Sequence, residues 1–258
     1  MKVVILCGGQ GTRLREETEY KPKPMVTIGE MPILWHIMKI YSHYGFNEFV
    51  LCLGYKGDII KRFFLDYEWM ANDFTINLKN RMEWITHFRN DLEDWKITLA
   101  ETGQDSLTAK RIKLAERYID GDTFMMTYGD GVASMDIQKL LEFHRKMKKT
   151  ATITGISPSS RFGALDVKDG LVKDFREKPL LKDVVNGGFM VLNKKVLKMI
   201  DEKDNYMFED KTLPGLALKG ELALYKHEGF WQSMDTYRDF QHLNKMWSAN
   251  ERPWKIWK

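Results

Sequence analysis

Short, almost wholly apolar runs recur along the chain, separated by longer stretches that mix polar and apolar residues. These runs cover residues 3–7, 49–53, 97–100, 124–128 and 151–156. Apolar runs of four to eight residues without polar alternation are typical of strands buried on both faces of a parallel sheet. We therefore predict a strand at each of these positions.

Between these runs, apolar residues recur at helical spacing. The segment 32–44 shows this pattern, with Pro32 suited to the first turn of a helix and Gly45 suited to its end. Further helices are predicted from Asp58, as an N-cap, to about residue 70, and over 108–119 and 137–147. Alternation of strands and helices predicts an α/β fold with a parallel sheet covered on both faces.

Two stretches interrupt the alternation. Residues 70–95 are charged and rich in aromatic residues, and residues 157–190 contain a predicted hairpin in which Asp169 and Gly170 form the turn between Val167 and Val172. Neither stretch has the composition of a linker. We therefore predict one domain over residues 1–258, with excursions at about 70–95 and 157–190.

Composition narrows the class of protein. The net charge of +4 arises from 40 basic and 36 acidic residues without a basic block, which argues against nucleic acid as a partner. No apolar segment approaches the ~18 residues of a membrane span, and no signal peptide is recognisable. Cys7 and Cys52 lie in apolar runs, which favours buried thiols and a reducing, cytoplasmic location. We expect the aromatic excursion and Trp247, Trp254 and Trp257 to expose apolar surface, as in an oligomer.

A glycine-rich loop follows the first predicted strand. Gly8, Gly9 and Gly11 would let backbone N–H groups approach a phosphate, while Thr12 and Arg13 add a hydroxyl and a cationic fork. The spacing fits neither a dinucleotide fingerprint, where Leu14 would have to be glycine, nor a P-loop, which needs Gly-Lys-Ser/Thr. A tight turn without a ligand is the structural alternative.

The segment Lys21-Pro22-Lys23-Pro24-Met25 holds two lysines in a chain stiffened by prolines. Such a lysine, about ten residues after Arg13, suits the binding of a triphosphate. An exposed basic loop is the alternative.

Two aspartates are candidates for binding Mg²⁺. Asp130 directly follows the strand 124–128, at the edge of a parallel sheet where ligands bind, and Asp235 precedes a predicted C-terminal helix. The alternative for Asp235 is an N-cap of that helix. The neighbouring Asp122 and Asp136 are interpreted as a turn residue and a helix cap.

Residues further along the chain could bind a phosphorylated acceptor. Glu177 could accept hydrogen bonds from sugar hydroxyls and Lys178 could bind a phosphate, although a charged strand end is the simpler interpretation. Asn186 and Gly187 indicate either a close backbone approach to a ligand or a β-bulge, and Gly163 has the same ambiguity. A covalent hydrolase and a zinc site are disfavoured because neither a G-x-S-x-G motif nor paired cysteine ligands occur.

Taken in order, the motifs G-G-x-G-T-R-L, K-P-K-P-M, G-D, E-K-P, N-G-G and M-D-T resemble the sugar-phosphate nucleotidyltransferase family, and within it the glucose-1-phosphate cytidylyltransferases. The resemblance implies a Rossmann-like fold with a mostly parallel mixed sheet, helices on both faces, and small inserted strands forming the sugar site. It implies a Mg²⁺-dependent reaction of CTP with α-D-glucose 1-phosphate to give CDP-glucose and pyrophosphate, for use in lipopolysaccharide O-antigen or other glycan synthesis. A homo-oligomer, with a hexamer as one arrangement, is also implied.

The resemblance assigns roles to individual residues. Catalysis is expected from Arg13, Lys23, Asp130 and Asp235, of which the two aspartates would bind Mg²⁺. Nucleotide contacts are expected from Leu6, Cys7, Gly8, Gly9, Gln10, Gly11, Thr12, Arg13, Lys23, Ser106, Arg111 and Gly129. Sugar-phosphate contacts are expected from Gly163, Glu177, Lys178, Asn186 and Gly187.

One departure and two alternatives accompany these assignments. Ala109 and Lys110 stand where relatives commonly carry a glycine pair, so we expect a stiffer and more charged approach of this loop to the triphosphate near Arg111. Transfer from UTP or dTTP, or to another phosphorylated acceptor, is the alternative within the family. A regulatory module that binds nucleotide without turnover is the alternative from another class.

Overall fold

A mixed sheet with helices on both faces forms the centre of the molecule. The computed structural model describes residues 1–80, 83–87, 92–158, 164–176 and 183–257. In chain order the strands are β1 (Lys2–Leu6), β2 (Thr27–Ile28), β3 (Met31–Pro32), β4 (Glu48–Leu53), β5 (Asp73–Ile76), β6 (Trp84–His87), β7 (Lys96–Glu101), β8 (Thr123–Tyr128), β9 (Gly131–Ala133), β10 (Ala151–Ile156), β11 (Ala164–Lys168), β12 (Leu171–Arg176), β13 (Val185–Asn193), β14 (Leu222–Lys226) and β15 (Trp231–Ser233). The helices are α1 (Arg15–Thr18), α2 (Ile33–His43), α3 (Gly57–Leu65), α4 (Tyr67–Ala71), α5 (Thr108–Ala115), α6 (Ile137–Met147), α7 (Thr212–Leu218) and α8 (Tyr237–Ser248).

The central sheet has the strand order β14-β10-β13-β8-β1-β4-β7. β1 pairs in parallel with β4 and β8, β4 pairs in parallel with β7, and β10 pairs in parallel with β14. β13 runs antiparallel to both β8 and β10. The predicted α/β, Rossmann-like, mostly parallel mixed sheet is therefore confirmed.

Two apolar layers lie on opposite faces of this sheet. Val3 and Ile5 of β1 join one layer with α2, α6 and α8, whereas Val4 and Leu6 join the other with α5 and α7. Because successive side chains of a strand point to opposite faces, β1 must be apolar throughout to serve both layers. This is why it was recognisable as a continuous apolar run.

Most helix predictions hold, with one clear exception. α2 follows Pro32, and the side chain of Asp136 caps α6 by accepting from the backbone N–H of Lys139 at 2.9 Å, as predicted. The predicted helix 58–70 is wrong in two respects. It begins at Gly57, because Lys56 leaves the strand end in a left-handed conformation (φ 49°), so Asp58 lies inside the first turn. It also divides at Asp66 into α3 and α4.

Within the described residues, each predicted excursion contains a two-stranded hairpin outside the central sheet, but the end of the stretch 157–190 lies in β13, a strand of that sheet. β5 pairs with β6, and β11 pairs with β12. In the second hairpin Val167 lies opposite Val172, and Asp169 and Gly170 form the turn with φ values of 49° and 78°. These positive φ values are those required by a tight two-residue turn, so the Asp-Gly prediction is confirmed.

The C-terminal segment packs back onto α2. Trp254 is fully buried and Trp257 nearly so, and both rings lie against the buried ring of His36. Trp247 also packs against this layer and contacts the same histidine. The expectation of exposed C-terminal tryptophans is therefore wrong for Trp254 and Trp257, which complete the core over α2, whereas Trp247 is only partly buried.

Two further observations concern the thiols and membrane insertion. Cys7 and Cys52 are both free and buried, as predicted from the apolar runs in which they lie. Within the described ranges, none of the helices combines the length and apolarity needed to cross a bilayer.

Candidate active site

The glycine-rich loop and Asp130 lie at the same edge of the sheet. β1 and β8 are parallel neighbours, so the loop after Leu6 and the turn after Tyr128 leave their strands side by side. The backbone N–H of Gly129 donates to the carbonyl of Leu6 at 3.1 Å and joins the two strand ends. The carboxyl edge of a parallel sheet is where ligands bind in this class of fold.

A cavity of about 370 Å³ opens at this edge. It is lined by Leu6, Cys7, Gly8, Gly9, Gly11, Thr12, Arg13, Lys23, Pro24, Ser106, Leu107, Thr108, Arg111, Tyr128, Gly129, Asp130 and Met207. Gln10 is the one member of the predicted nucleotide set that is absent from this lining. The structure thus gathers residues that the sequence spreads over more than a hundred positions.

Lys23 bridges the two candidate metal ligands. Its ammonium donates to Asp130 Oδ2 at 2.6 Å and to Asp235 Oδ1 at 2.7 Å, and its side chain is only 13% exposed. The lysine lies in a short 3-10 turn, Lys23–Met25, preceded by the extended Pro22. The alternative of an exposed basic loop is therefore wrong for Lys23.

The protonation states of this group follow from its geometry. Burial lowers the pKa of Lys23, but the charge and hydrogen bond of Asp130 and the hydrogen bond of Asp235 outweigh it, so the pKa is raised overall. Burial raises the pKa of Asp235, but the hydrogen bond and charge of Lys23 outweigh it, so the pKa is lowered overall. A protonated lysine beside an ionised aspartate is the result.

Hydrogen bonds to the side chain and to the backbone of Asp235 fix its position. Its Oδ2 accepts from Ser233 Oγ at 2.9 Å, and its backbone N–H donates to Asp239 Oδ2 at 3.1 Å. Thr236, not Asp235, caps α8, in a capping box with Asp239. The alternative of an N-cap role for Asp235 is wrong, and its carboxylate is left to face Lys23.

Arg13 offers a cationic group to the mouth of the cavity. Its side chain is 75% exposed, and its guanidinium lies 3.8 Å from Asp235 Oδ1. Gly11, two residues earlier, has φ +63°, and a Cβ there would approach Thr18 Cγ2 at 2.9 Å. The turn that presents Thr12 and Arg13 therefore requires glycine at position 11.

Arg111 has a different setting. Its guanidinium is almost fully buried and donates to the carbonyls of Gly8, Leu53, Gly103 and Gln104 and to Thr102 Oγ1, at 2.8–3.1 Å. Burial lowers the pKa of this guanidinium. A Cβ at Gly8 would lie 2.2 Å from the arginine Nη1, so glycine there makes room for it. Arg111 joins the ends of β1, β4 and β7 beneath the cavity.

The remaining predicted nucleotide contact, Ser106, lies in the loop between β7 and α5. The departure at Ala109 and Lys110 falls within the first turn of α5, where Ala109 is buried and its N–H donates to the carbonyl of Tyr206 at 3.1 Å. Neither residue lines the cavity, although Arg111 on the same helix does.

The structure describes two of the five residues that are predicted to bind the sugar phosphate. Asn186 Nδ2 donates to the hydroxyl of Tyr128 at 3.3 Å, and the carbonyl of Gly187 accepts from Trp231 Nε1 at 2.7 Å. The β10–β13 pairing shifts register near these residues, which bears out the predicted irregularity. Gly163, Glu177 and Lys178 lie outside the described residues.

Sequence reasoning missed several residues of the cavity wall, among them Leu107, Thr108, Tyr128 and Met207, and it also missed the adjacent Glu209. Tyr128 directly precedes the Gly129-Asp130 pair, which could have drawn attention to it. Met207 and Glu209 belong to no recognisable sequence motif. They lie in the long connection between the 3-10 turn Lys194–Met199 and α7, and only the fold brings them to the site.

The donor set fits a magnesium ion. Mg²⁺ is usually held by one or two protein carboxylates together with substrate phosphates. Asp130 and Asp235 supply two carboxylates close enough to share one ammonium. Among the described residues no group of three or more His, Cys, Asp or Glu could hold a metal ion. Substrate phosphate oxygens commonly complete a Mg²⁺ site that has only two protein carboxylates.

Comparison with known proteins gives a consistent result. The profile of the nucleotidyl transferase family matches residues 2–249. The chain is 49% identical over 257 residues to a Bacillus subtilis protein named "Probable glucose-1-phosphate cytidylyltransferase", with all of both chains covered. It is 48% identical over 260 residues to glucose-1-phosphate cytidylyltransferase of Salmonella typhimurium, again over all of both chains. The solved structure of HddC from Yersinia pseudotuberculosis superposes with a TM-score of 0.67 at 25% identity, covering 95% of this chain and 99% of that one.

Proposed function

The chain belongs to the nucleotidyl transferase family, and from this membership we propose that it transfers a cytidylyl group from CTP to α-D-glucose 1-phosphate. The products are CDP-glucose and pyrophosphate. The names of the relatives that match over the full length support both the nucleotide and the sugar.

The observation that carries the proposal is the contact of Lys23 with Asp130 and Asp235, beside the cavity that the glycine-rich loop lines. One ammonium lies within 2.7 Å of both carboxylates, and the loop Gly8–Arg13 lies beside it. A phosphate-binding loop next to a site for a divalent cation is what a triphosphate-using enzyme needs.

The reaction is a direct in-line displacement. An oxygen of the sugar phosphate attacks the α-phosphorus of CTP, a new P–O bond forms, and the bond to the β-phosphate oxygen breaks so that pyrophosphate leaves with the electron pair. The attacking phosphate is already ionised near neutral pH, so no residue has to remove a proton. The protein must bring two anions together and stabilise the charge that develops.

Each residue has a defined task in this scheme. Bound Mg²⁺ would polarise the α-phosphate and offset its negative charge. Asp130 and Asp235 would hold the ion, while Arg13 and Lys23 neutralise the triphosphate and the departing pyrophosphate. Lys178 offsets the charge of the sugar phosphate, and Glu177, Asn186, Gly187 and Gly163 orient it.

The ammonium of Lys23 neutralises one of the two carboxylate charges of Asp130 and Asp235. If these carboxylates held a divalent cation, they would share their oxygens with it, and the ammonium of Lys23 would be available to the triphosphate.

We also propose a homo-oligomer, for which a hexamer is one arrangement, in the reducing cytoplasm. Apolar side chains on the β5–β6 hairpin, Phe74, Ile76 and Ile85, are 41–63% exposed, which supports a buried role in an assembly. Light scattering of the purified protein measures the mass. A stable monomer at micromolar concentration would contradict the proposed assembly.

The test of the activity is pyrophosphate release from CTP in the presence of glucose 1-phosphate, with the nucleotide sugar identified by mass spectrometry. We expect stoichiometric CDP-glucose and pyrophosphate with Mg²⁺, and loss of both with EDTA. Binding of CTP without any turnover of any triphosphate and sugar phosphate would instead indicate a nucleotide-binding regulatory module.

A further inference from the structure

The carboxylate of Glu209 lies behind one wall of the cavity, between β8 and α5. It accepts hydrogen bonds from the hydroxyl of Tyr128 and, at 2.8 Å, from Thr108 Oγ1. Both hydroxyl-bearing residues line the cavity. Glu209 therefore touches two lining residues that come from different elements of the fold.

An ionised carboxylate can only accept hydrogen bonds, so it fixes the direction of both hydroxyl groups. With each hydroxyl hydrogen directed at Glu209, the oxygen lone pairs are left for other donors. Tyr128 accepts from Asn186 Nδ2 at 3.3 Å, and Thr108 accepts from the N–H of Phe208 at 2.7 Å.

We call the hydrogen bonds that run from Glu209 through Tyr128 to Asn186 the Tyr128 arm. These bonds orient the amide of Asn186. The Oδ1 of Asn186 accepts from the backbone N–H of Gly188 at 3.0 Å, so a flipped amide would set two donors against each other. With Oδ1 and one Nδ2 hydrogen engaged, the second Nδ2 hydrogen has one defined direction. Asn186 is one of the residues proposed to bind the sugar phosphate.

The hydrogen bonds that Thr108 makes with Glu209 and Phe208 form a second arm, the Thr108 arm. This arm holds the loop that carries Ser106. Asn205 accepts from the N–H of Leu107 at 2.7 Å and donates to the carbonyl of Asp105 at 3.1 Å. Glu209 and Phe208 bind Thr108 at the start of α5. Residues 205–209 therefore form hydrogen bonds with the chain on both sides of Ser106, a residue proposed to contact the nucleotide.

We propose that Glu209 is a positioning residue for both substrates: through Tyr128 it orients Asn186 toward the sugar phosphate, and through Thr108 it holds the nucleotide loop. The inference rests on the proposed function, because it assigns the two arms to the two substrates. Glu209 itself contacts neither reactant and takes no part in the chemical step.

The experiment separates the arms by single substitutions. Tyr128→Phe removes the link to Asn186, Thr108→Val removes the link to the loop, and Glu209→Ala removes both. Matched controls are Tyr118→Phe, on the 3-10 turn after α5, and Glu202→Ala, which is exposed. Values of kcat, of KM for CTP and of KM for glucose 1-phosphate are measured for each protein.

We expect Tyr128→Phe to raise the KM for glucose 1-phosphate roughly three- to tenfold, the effect of one lost hydrogen bond, with the KM for CTP unchanged. Thr108→Val should raise the KM for CTP by a similar factor, and Glu209→Ala should raise both. Glu209→Gln keeps the size but turns an N–H donor toward one hydroxyl, so at least one KM should rise. The controls should match the wild type.

Two results would overturn the inference. A uniform loss of kcat with lower thermal stability and unchanged KM values would mean that the network only supports the fold. The absence of any split between the Tyr128 and Thr108 variants would mean that Glu209 does not serve the two sites separately. Calorimetric dissociation constants for CTP and for glucose 1-phosphate give the same split without turnover, so failure of this inference is distinguishable from an inactive wild-type protein.

Discussion

At the scale of single residues, Lys23 connects the charges of the candidate site. It was predicted from two prolines and its distance from Arg13, and its contact with Asp130 and Asp235 adds a direct link to the metal ligands. The motif residues were predictable because a glycine loop, a stiffened lysine and an aspartate at a strand end are local patterns. Glu209 was not, because only the folded chain brings it to Tyr128 and Thr108.

Removing either member of the Lys23–Asp130 pair should reduce turnover severely. We expect Lys23→Ala and Asp130→Asn each to lower kcat about 100- to 1,000-fold, which corresponds to ~2.7–4 kcal/mol of transition-state stabilisation. Pyrophosphate release measures the effect. Lys21→Ala and Asp122→Asn are the matched controls, since Lys21 pairs with Glu17 outside the cavity and Asp122 is exposed. Rates near the wild type in both active-site variants would refute the assigned roles.

Arg111 was predicted as a nucleotide contact, and its buried hydrogen bonds to four carbonyls indicate that it also holds the strand ends together. We expect Arg111→Lys to lower the free energy of unfolding by about 1–3 kcal/mol, because an ammonium has too few donors for all the acceptors. Urea denaturation measures this loss, with Arg117→Lys as the control. Unchanged stability would show that the guanidinium is dispensable beneath the cavity.

At the scale of elements, local signals predicted the interior of helices and strands better than their ends. α6 and β10 have the predicted bounds because each combines a clear apolar pattern with abrupt flanking signals. The start of α3 was misplaced because Lys56 adopts a left-handed conformation that residues other than glycine rarely adopt. Asp58 resembled a cap, but a capping pattern in the sequence does not show where the backbone turns.

The residue that completes the capping box of α8, Asp239, also binds the backbone of Asp235, a candidate metal ligand. Asp239 accepts from the N–H groups of Asp235 and Thr236 at 3.1 and 2.9 Å. We expect Asp239→Ala to lower the free energy of unfolding by about 1 kcal/mol and to raise the Mg²⁺ concentration needed for half-maximal activity, because the backbone of Asp235 is released. Urea denaturation and Mg²⁺ titration measure the two effects.

The control for this prediction is Asp136→Ala, which removes the side-chain cap of α6. It should cost a similar amount of stability without changing the Mg²⁺ requirement. An equal change in Mg²⁺ requirement in both variants would show that α8 has no specific connection with the metal ligands.

At the scale of the whole molecule, the sequence indicated an α/β fold but not how the chain ends pack. Strand identity and alternation followed from apolar runs, whereas the antiparallel β13 and the return of the C-terminal segment depend on contacts between distant residues. Hydrophobic tryptophans near a terminus resemble exposed interface residues when only the sequence is considered. In the folded protein Trp254 donates toward His36 Nδ1 at 3.5 Å, and His36 Nε2 lies 3.0 Å from the carbonyl of Ile28.

Burial of His36 gives the fold a pH dependence. Burial lowers the pKa of His36 to about 4, while in the unfolded chain it is about 6.5. Between these values the unfolded state binds a proton that the folded state excludes, so the free energy of unfolding falls as the pH drops from about 6.5 to 4, by up to ~3 kcal/mol. Urea denaturation at several pH values measures this slope.

His36→Gln can still donate to the carbonyl of Ile28 but does not titrate, so it should flatten this part of the profile. His43→Gln, which replaces an exposed histidine, is the matched control. Profiles of the wild type and His36→Gln that stay parallel from pH 6.5 to 4 would show that the imidazole does not control the dependence.

The central claim, cytidylyl transfer to glucose 1-phosphate, is tested most directly by a matrix of CTP, UTP, dTTP and GTP against several sugar 1-phosphates, with pyrophosphate release as the readout in the presence of Mg²⁺. The account predicts the highest kcat/KM for CTP with glucose 1-phosphate, at least about tenfold above every other pair, a difference of ~1.4 kcal/mol in transition-state stabilisation. A higher kcat/KM for another triphosphate or another sugar phosphate, or no pyrophosphate from any pair, would contradict it.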